Sequence, residues 1–142
     1  MSRAILRFFT TAVLLLSFQT GAYSAPVPQM SPEVRAWFVA LTKVNHPHFK
    51  KLIAEGTEIR LKDLGIVQTR EEFLNSLDAW EEATKGAIIL TQMISSENGK
   101  DVVEVCYRFP DNEQLNRETY HYSDGLITAV TQERLGNECK GF

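Results

Sequence analysis

Apolar residues follow a helical period in the first half of the chain and an alternating one in the second. Val34, Trp37, Phe38 and Leu41 stand at i, i+3, i+4 and i+7, one face of an amphipathic helix. Ser31 can accept from free amides, Pro32 suits the first helical position and Glu33 favours the positive end, so the pattern predicts a helix over 32–43. HPHFKKLIAEG predicts a second, shorter helix opened by Pro47, with Phe49, Leu52 and Ile53 on one side and Gly56 as its stop. TEIRLKDLGIVQ reads as one or two short strands. Thr69-Arg70-Glu71-Glu72 then has the spacing of a capping box, and Phe73, Leu77 and Trp80 continue an apolar face to about Lys85, where Gly86 ends the helix.

Beyond Gly86 the period becomes two. GAIILTQMISS, DVVEVCYRF, QLNRETYHY and LITAVTQERL are strand-like runs separated by Glu97-Asn98-Gly99-Lys100, Pro110-Asp111-Asn112-Glu113 and Asp124-Gly125. Connections this short force antiparallel neighbours, and an Asp-Gly pair supplies the positive φ that a twisted hairpin needs. Val103, Val105, Tyr107 and Phe109 share one face of the second run, and Glu104, Cys106 and Arg108 the other. Where Tyr120 and Tyr122 face inward, His121 faces out. The expected class is α+β, with three N-terminal helices packed on a curved antiparallel sheet of about five to six strands.

The N-terminus changes the picture of compartment. Arg3 and Arg7 precede an apolar run of about 11 residues from Phe8 to Phe18, followed by small residues at Ala22, Ser24 and Ala25. That order of blocks is a secretory signal peptide, shorter than the ~20 apolar residues a spanning helix requires. The expected division is a signal over 1–24, cleaved after Ser24, and one domain over 25–142, periplasmic or secreted, with no membrane anchor after cleavage. Removing the signal leaves 13 basic against 18 acidic residues, a balance of −5. With no cationic cluster beyond Lys50-Lys51, nucleic acid is excluded as a partner. Cys106 and Cys139, in an exported chain, are expected to form a disulfide; the competing arrangement is a buried Cys106 and a free Cys139 in the tail.

Candidate chemistry is sparse. His46-Pro47-His48 has no third ligand in sequence reach and reads as the opening of a helix, so no metal site and no cofactor are expected. No nucleophile elbow and no glycine-rich phosphate loop are present. Glu71, Glu72, Glu81 and Glu82 read as the solvated side of the third helix. Trp37, Phe38, Trp80, Tyr107, Tyr120 and Tyr122 either fill a core or line a partly wet pocket, since buried Tyr and Trp bring polar tips that need partners. Arg60 and Asp63, at or near the end of the first short strand, are the charged residues expected at the rim of such a pocket.

HPHFKKLIAEGTEI leading into a strand, the capped helix of QTREEFLNSLDAW and the closing hairpin YHYSDGLI, in that order, resemble the nuclear transport factor 2-like superfamily, which includes ketosteroid isomerase and the SnoaL-like polyketide cyclases. The resemblance covers Ser31 to Leu135 and implies a cone whose interior takes a small apolar molecule. It also implies homodimers paired through the open sheet face. Two functions follow. One is a non-catalytic exported domain that binds a small apolar ligand or a protein partner, with Trp37, Phe38, Arg60, Asp63, Trp80, Tyr107 and Tyr120 in or around the cone. The other is a lyase or isomerase of the ketosteroid isomerase or cyclase type with Asp63 as general base. In that family a Tyr on the first helix and a second acid on a later strand assist the base. Here the first helix carries Trp37 and Phe38 instead, Ile59-Arg60-Leu61-Lys62 puts cations where the base is expected, and Glu104 points away from Val103, Val105 and Tyr107. The expectation is therefore no isomerisation of a 3-oxo-Δ5 steroid.

Overall fold

The computed structural model describes residues 26–142, so the expected signal and its cleavage point lie outside the described residues. Helix α1 (Pro32–Lys43) starts where Ser31 accepts from the Val34 amide at 3.3 Å. Its end is fixed by Val44, whose left-handed backbone closes the last turn. Helix α2 (His46–Leu52) is capped by Asn45 and is shorter than its sequence pattern suggests. Strand β1 (Ile53–Leu61) takes over at Ile53, because Ile53 pairs with Ile127 across the sheet. Gly56, expected as a helix stop, instead sits at φ +77° where the β1 register shifts between Ile53 and Glu58. A single 3-10 turn, Lys62–Leu64, leads to β2 (Ile66–Thr69). Helix α3 (Arg70–Ala83) carries the expected capping box: Thr69 accepts from the Glu72 amide at 3.2 Å, and Glu72 accepts from the Thr69 amide at 2.8 Å.

Strands β3 (Ile88–Glu97), β4 (Lys100–Arg108), β5 (Glu113–Ser123) and β6 (Leu126–Gly136) form the expected meander. The sheet has six strands in the order β2-β1-β6-β5-β4-β3. All pairings are antiparallel except β1 with β6, which run parallel, so the expected antiparallel sheet is a mixed one. The cause is connectivity: the last strand inserts beside the first, and α3 and the meander lie between them in sequence. Register shifts in β3 and β5–β6 bend the strands locally.

The three helices cover one sheet face. Trp37 is the hub of the packing, with ring centroids 5.0 Å from Phe49, 5.0 Å from Phe73 and 5.6 Å from Tyr120. Asp101, fully buried on β4, ties helix to sheet: it accepts from the Ser31 amide at 2.8 Å and from the Tyr122 hydroxyl at 3.1 Å. On the opposite face the tail is stapled to β4 by a Cys106–Cys139 disulfide, S–S 2.00 Å. Glu113 holds it there as well, accepting from the Cys139 amide and from Arg108, each at 2.9 Å. Among the described residues no helix is long and apolar enough to cross a membrane.

Candidate functional site

Between α1, α3 and the inner sheet face lies a cavity of about 350 Å³. Period two on β1 turns Ile59 and Leu61 into it, and helical period on α3 adds Phe73, Leu77 and Trp80. Trp37 and Leu41 of α1 line it too, and Gln68, Ser76, Tyr107 and Gln132 supply its polar groups. Among the described residues no acidic or basic side chain lines it.

Behind Tyr107 and Gln132 stands a carboxyl group with no solvent exposure, Glu118 of β5. Its Oε1 accepts from the Tyr107 hydroxyl at 2.7 Å and from Gln132 Nε2 at 3.0 Å, and its Oε2 accepts from the Tyr120 hydroxyl. No Lys or Arg among the described residues pairs with it. Burial pushes the Glu118 carboxyl above its usual range, while hydrogen bonds from Tyr120, Tyr107, Asn116 and Gln132 pull the other way. Burial and the adjacent Glu118 push the Tyr107 and Tyr120 hydroxyls well above 10.

The structure brings Trp37, Trp80 and Tyr107 together on the cavity wall, with Tyr120 bonded to Glu118 one layer behind. Phe38 is buried but packs on Tyr120 outside the lining. Arg60 does not reach the cone. It pairs across the sheet with Thr131, on the face opposite Ile59, and its guanidinium bonds Glu58 at 3.1 Å. Alternation in β1 decides this, because Ile59 and Arg60 cannot share a face. Asp63, in the 3-10 turn after β1, does not line the main cavity and accepts from the Arg134 amide at 2.6 Å. It opens on an adjoining depression of about 140 Å³, which shares Leu61 and Gln132 with the main cavity. β4 has an inward acid of its own, Asp101, but that carboxylate is hydrogen-bonded to the Ser31 amide and the Tyr122 hydroxyl and does not line the cavity. The acid behind the cavity wall therefore comes from β5. Its signal was present, since the alternation that turns Tyr120 inward also turns Glu118 and Asn116 inward. Cys106, Cys139 and Glu113 cluster as metal ligands can, but both sulfurs are consumed in the disulfide.

No family model matches the sequence, and no curated protein matches it. Solved structures do match. A candidate ketosteroid isomerase from Kribbella flavida superposes with TM-score 0.63 at 19% identity, over 73% of this chain and 76% of that one. IdmH, a candidate polyketide cyclase from Streptomyces antibioticus, gives 0.63 at 14% identity, over 72% and 89%. A protein of ketosteroid isomerase-like fold from Catenulispora acidiphila, solved in complex with trimethylamine, gives 0.62 at 14% identity, over 74% and 86%. Identities this low speak for architecture alone, and in architecture the chain has the α+β cone fold of the nuclear transport factor 2-like superfamily.

Proposed function

We propose that this chain is an exported, non-catalytic domain that holds a small apolar molecule in its cone. The observation that carries the reading is the cavity of about 350 Å³, walled mainly by aliphatic and aromatic side chains, with Gln68, Ser76 and Gln132 among them and no charged one among the described residues. Such a volume lies at the small end of ligand pockets, and its wall gains free energy by shedding water onto an apolar guest. The trimethylamine complex of the Catenulispora protein is in keeping with small guests in this fold. The disulfide is compatible with a periplasmic or secreted location. Pairing of two copies through the outer sheet face, where Gln92, Glu104, Arg117 and Thr119 lie side by side across β3, β4 and β5, belongs to the same proposal.

Native mass spectrometry of protein taken from its own compartment tests both parts. A small molecule should travel with wild type and be lost in Ala79→Trp, which adds bulk at an exposed position of the cavity wall. Bare chain mass in every preparation would count against the reading, and a monomer mass would remove the pairing.

A second reading, acid–base chemistry on a carbonyl compound, is favoured by one observation: Glu118 is buried with its carboxyl held high beside two tyrosines. Against it, Glu118 does not line the cavity, and the Asp63 carboxylate is engaged by the Arg134 amide in the adjoining depression. Isomerisation of a 3-oxo-Δ5 steroid by the purified protein, abolished in Glu118→Gln or Asp63→Asn, would make this the better account.

A further inference from the structure

Charged groups of both signs stand beside the cavity. Leu61 and Gln132 line the main cavity and also the adjoining depression of about 140 Å³, so the two spaces meet at these side chains. The depression is polar where the cavity is mainly apolar, because Asp63, Gln114, Asn116 and Arg134 line it as well. Alternation on β6 puts Arg134 on the inner face with Gln132, opposite the inward Asn116 of β5. The 3-10 turn returns Asp63 to the end of β6, where one carboxylate oxygen accepts from the Arg134 amide. Its other oxygen takes part in no hydrogen bond among the described residues. The Arg134 guanidinium donates to Asn137. Both side chains are exposed and line one small space, yet among the described residues neither forms an ion pair.

We infer, resting on the ligand-binding reading above, that cavity and depression form one amphipathic site for an apolar α-amino acid. The guest's side chain lies in the cavity, its ammonium group on Asp63 and its carboxylate on Arg134. An unpaired acid and an unpaired base in one depression are complementary to a head group that carries both charges. A guest with a carboxylate alone meets Asp63 as a like charge, and one with an ammonium group alone meets Arg134 in the same way. A neutral guest engages neither charge and gains only from its apolar body. The polar side chains of the main cavity, Gln68, Ser76, Tyr107 and Gln132, are all neutral, so the choice among head groups falls to the depression. Its volume suits a head group, and the cavity of about 350 Å³ takes the body.

The test is a series on one apolar body, titrated into the wild-type protein at neutral pH by calorimetry: both enantiomers of phenylalanine, 3-phenylpropanoate, 2-phenylethylamine and 2-phenylethanol. The better-bound enantiomer of phenylalanine should bind about tenfold more tightly than each of the other compounds, the ratio that one additional hydrogen bond to a charged group supplies. Asp63→Asn, which keeps an acceptor for the Arg134 amide, should erase the advantage of phenylalanine over 3-phenylpropanoate. Arg134→Gln should erase its advantage over 2-phenylethylamine. Where one variant melts below the assay temperature, the other is read alone. The alcohol or either singly charged compound binding as tightly as phenylalanine overturns the inference and leaves the ligand-binding cone standing. So does an advantage that survives in the folded variant meant to erase it. Absence of saturable heat with all of the compounds sinks the ligand-binding reading itself.

Discussion

A carboxyl group without a cation beside it is costly to bury, and Glu118 tolerates its position only because Tyr107, Tyr120 and Gln132 all donate to it. Because burial holds its folded-state pKa above the usual 4.5, the native protein binds this proton more tightly than the unfolded chain does. The stability linked to that proton is complete below the unfolded carboxylate range and is lost as pH rises through the folded pKa of Glu118. Glu72 and Glu113 act with the opposite sign, since backbone amides of Thr69 and Cys139 hold them low, and their contribution disappears on acidification. Glu118→Gln keeps those two and removes only the first effect. Urea midpoints measured from mildly acid to neutral pH should therefore fall more steeply in wild type than in the variant; parallel profiles would contradict the buried titration. The tyrosines provide a second check. In an alkaline absorbance titration Tyr107 and Tyr120 should stay silent near pH 10, where free phenols ionise, and should titrate only as the fold is lost.

At the scale of elements, α3 matters because one of its faces is a wall of the cavity, through Phe73, Leu77 and Trp80. The reciprocal bonds between Thr69 and Glu72 satisfy amides that the first turn leaves open. Thr69→Ala should cost about 1 kcal/mol in thermal or urea denaturation; an unchanged midpoint would show that packing alone sets the start of α3. Signals of this local kind were legible. Ser31, Pro32 and Thr69 announce α1 and α3 within a few residues, and Asp124-Gly125 announces the last hairpin. What was not legible depends on partners far along the chain. Ile53 continues the apolar side of α2 by spacing, yet Ile127 draws it into the sheet. Arg60 sits next to the inward-facing Ile59, and only the register against Thr131 shows that it faces away. Glu118 could be placed inside by alternation, but its donors Tyr107 and Gln132 come from the two neighbouring strands and are known only once β4, β5 and β6 are aligned.

For the molecule as a whole, the disulfide between Cys106 and Cys139, 33 residues apart, is the one covalent constraint among the described residues. Closing a loop of that length stabilises the fold by about 3–4 kcal/mol when the effect lies in the unfolded chain. Reduction, or Cys139→Ser, should lower the unfolding free energy by an amount of that order. Labelling of the denatured, unreduced protein should find no free thiol at either position. The parallel contact of β1 with β6 has a consequence of another kind, for the order in which the chain can assemble. Local contacts suffice for β3 to β5, but β1 and its hairpin partner β2 have no place in the sheet until Leu126–Gly136 arrives, after the other three strands of the meander. Helices α1 to α3 are laid down first and closed over last, so that a nascent chain carries the open half of its cone until Leu126–Gly136 has been made.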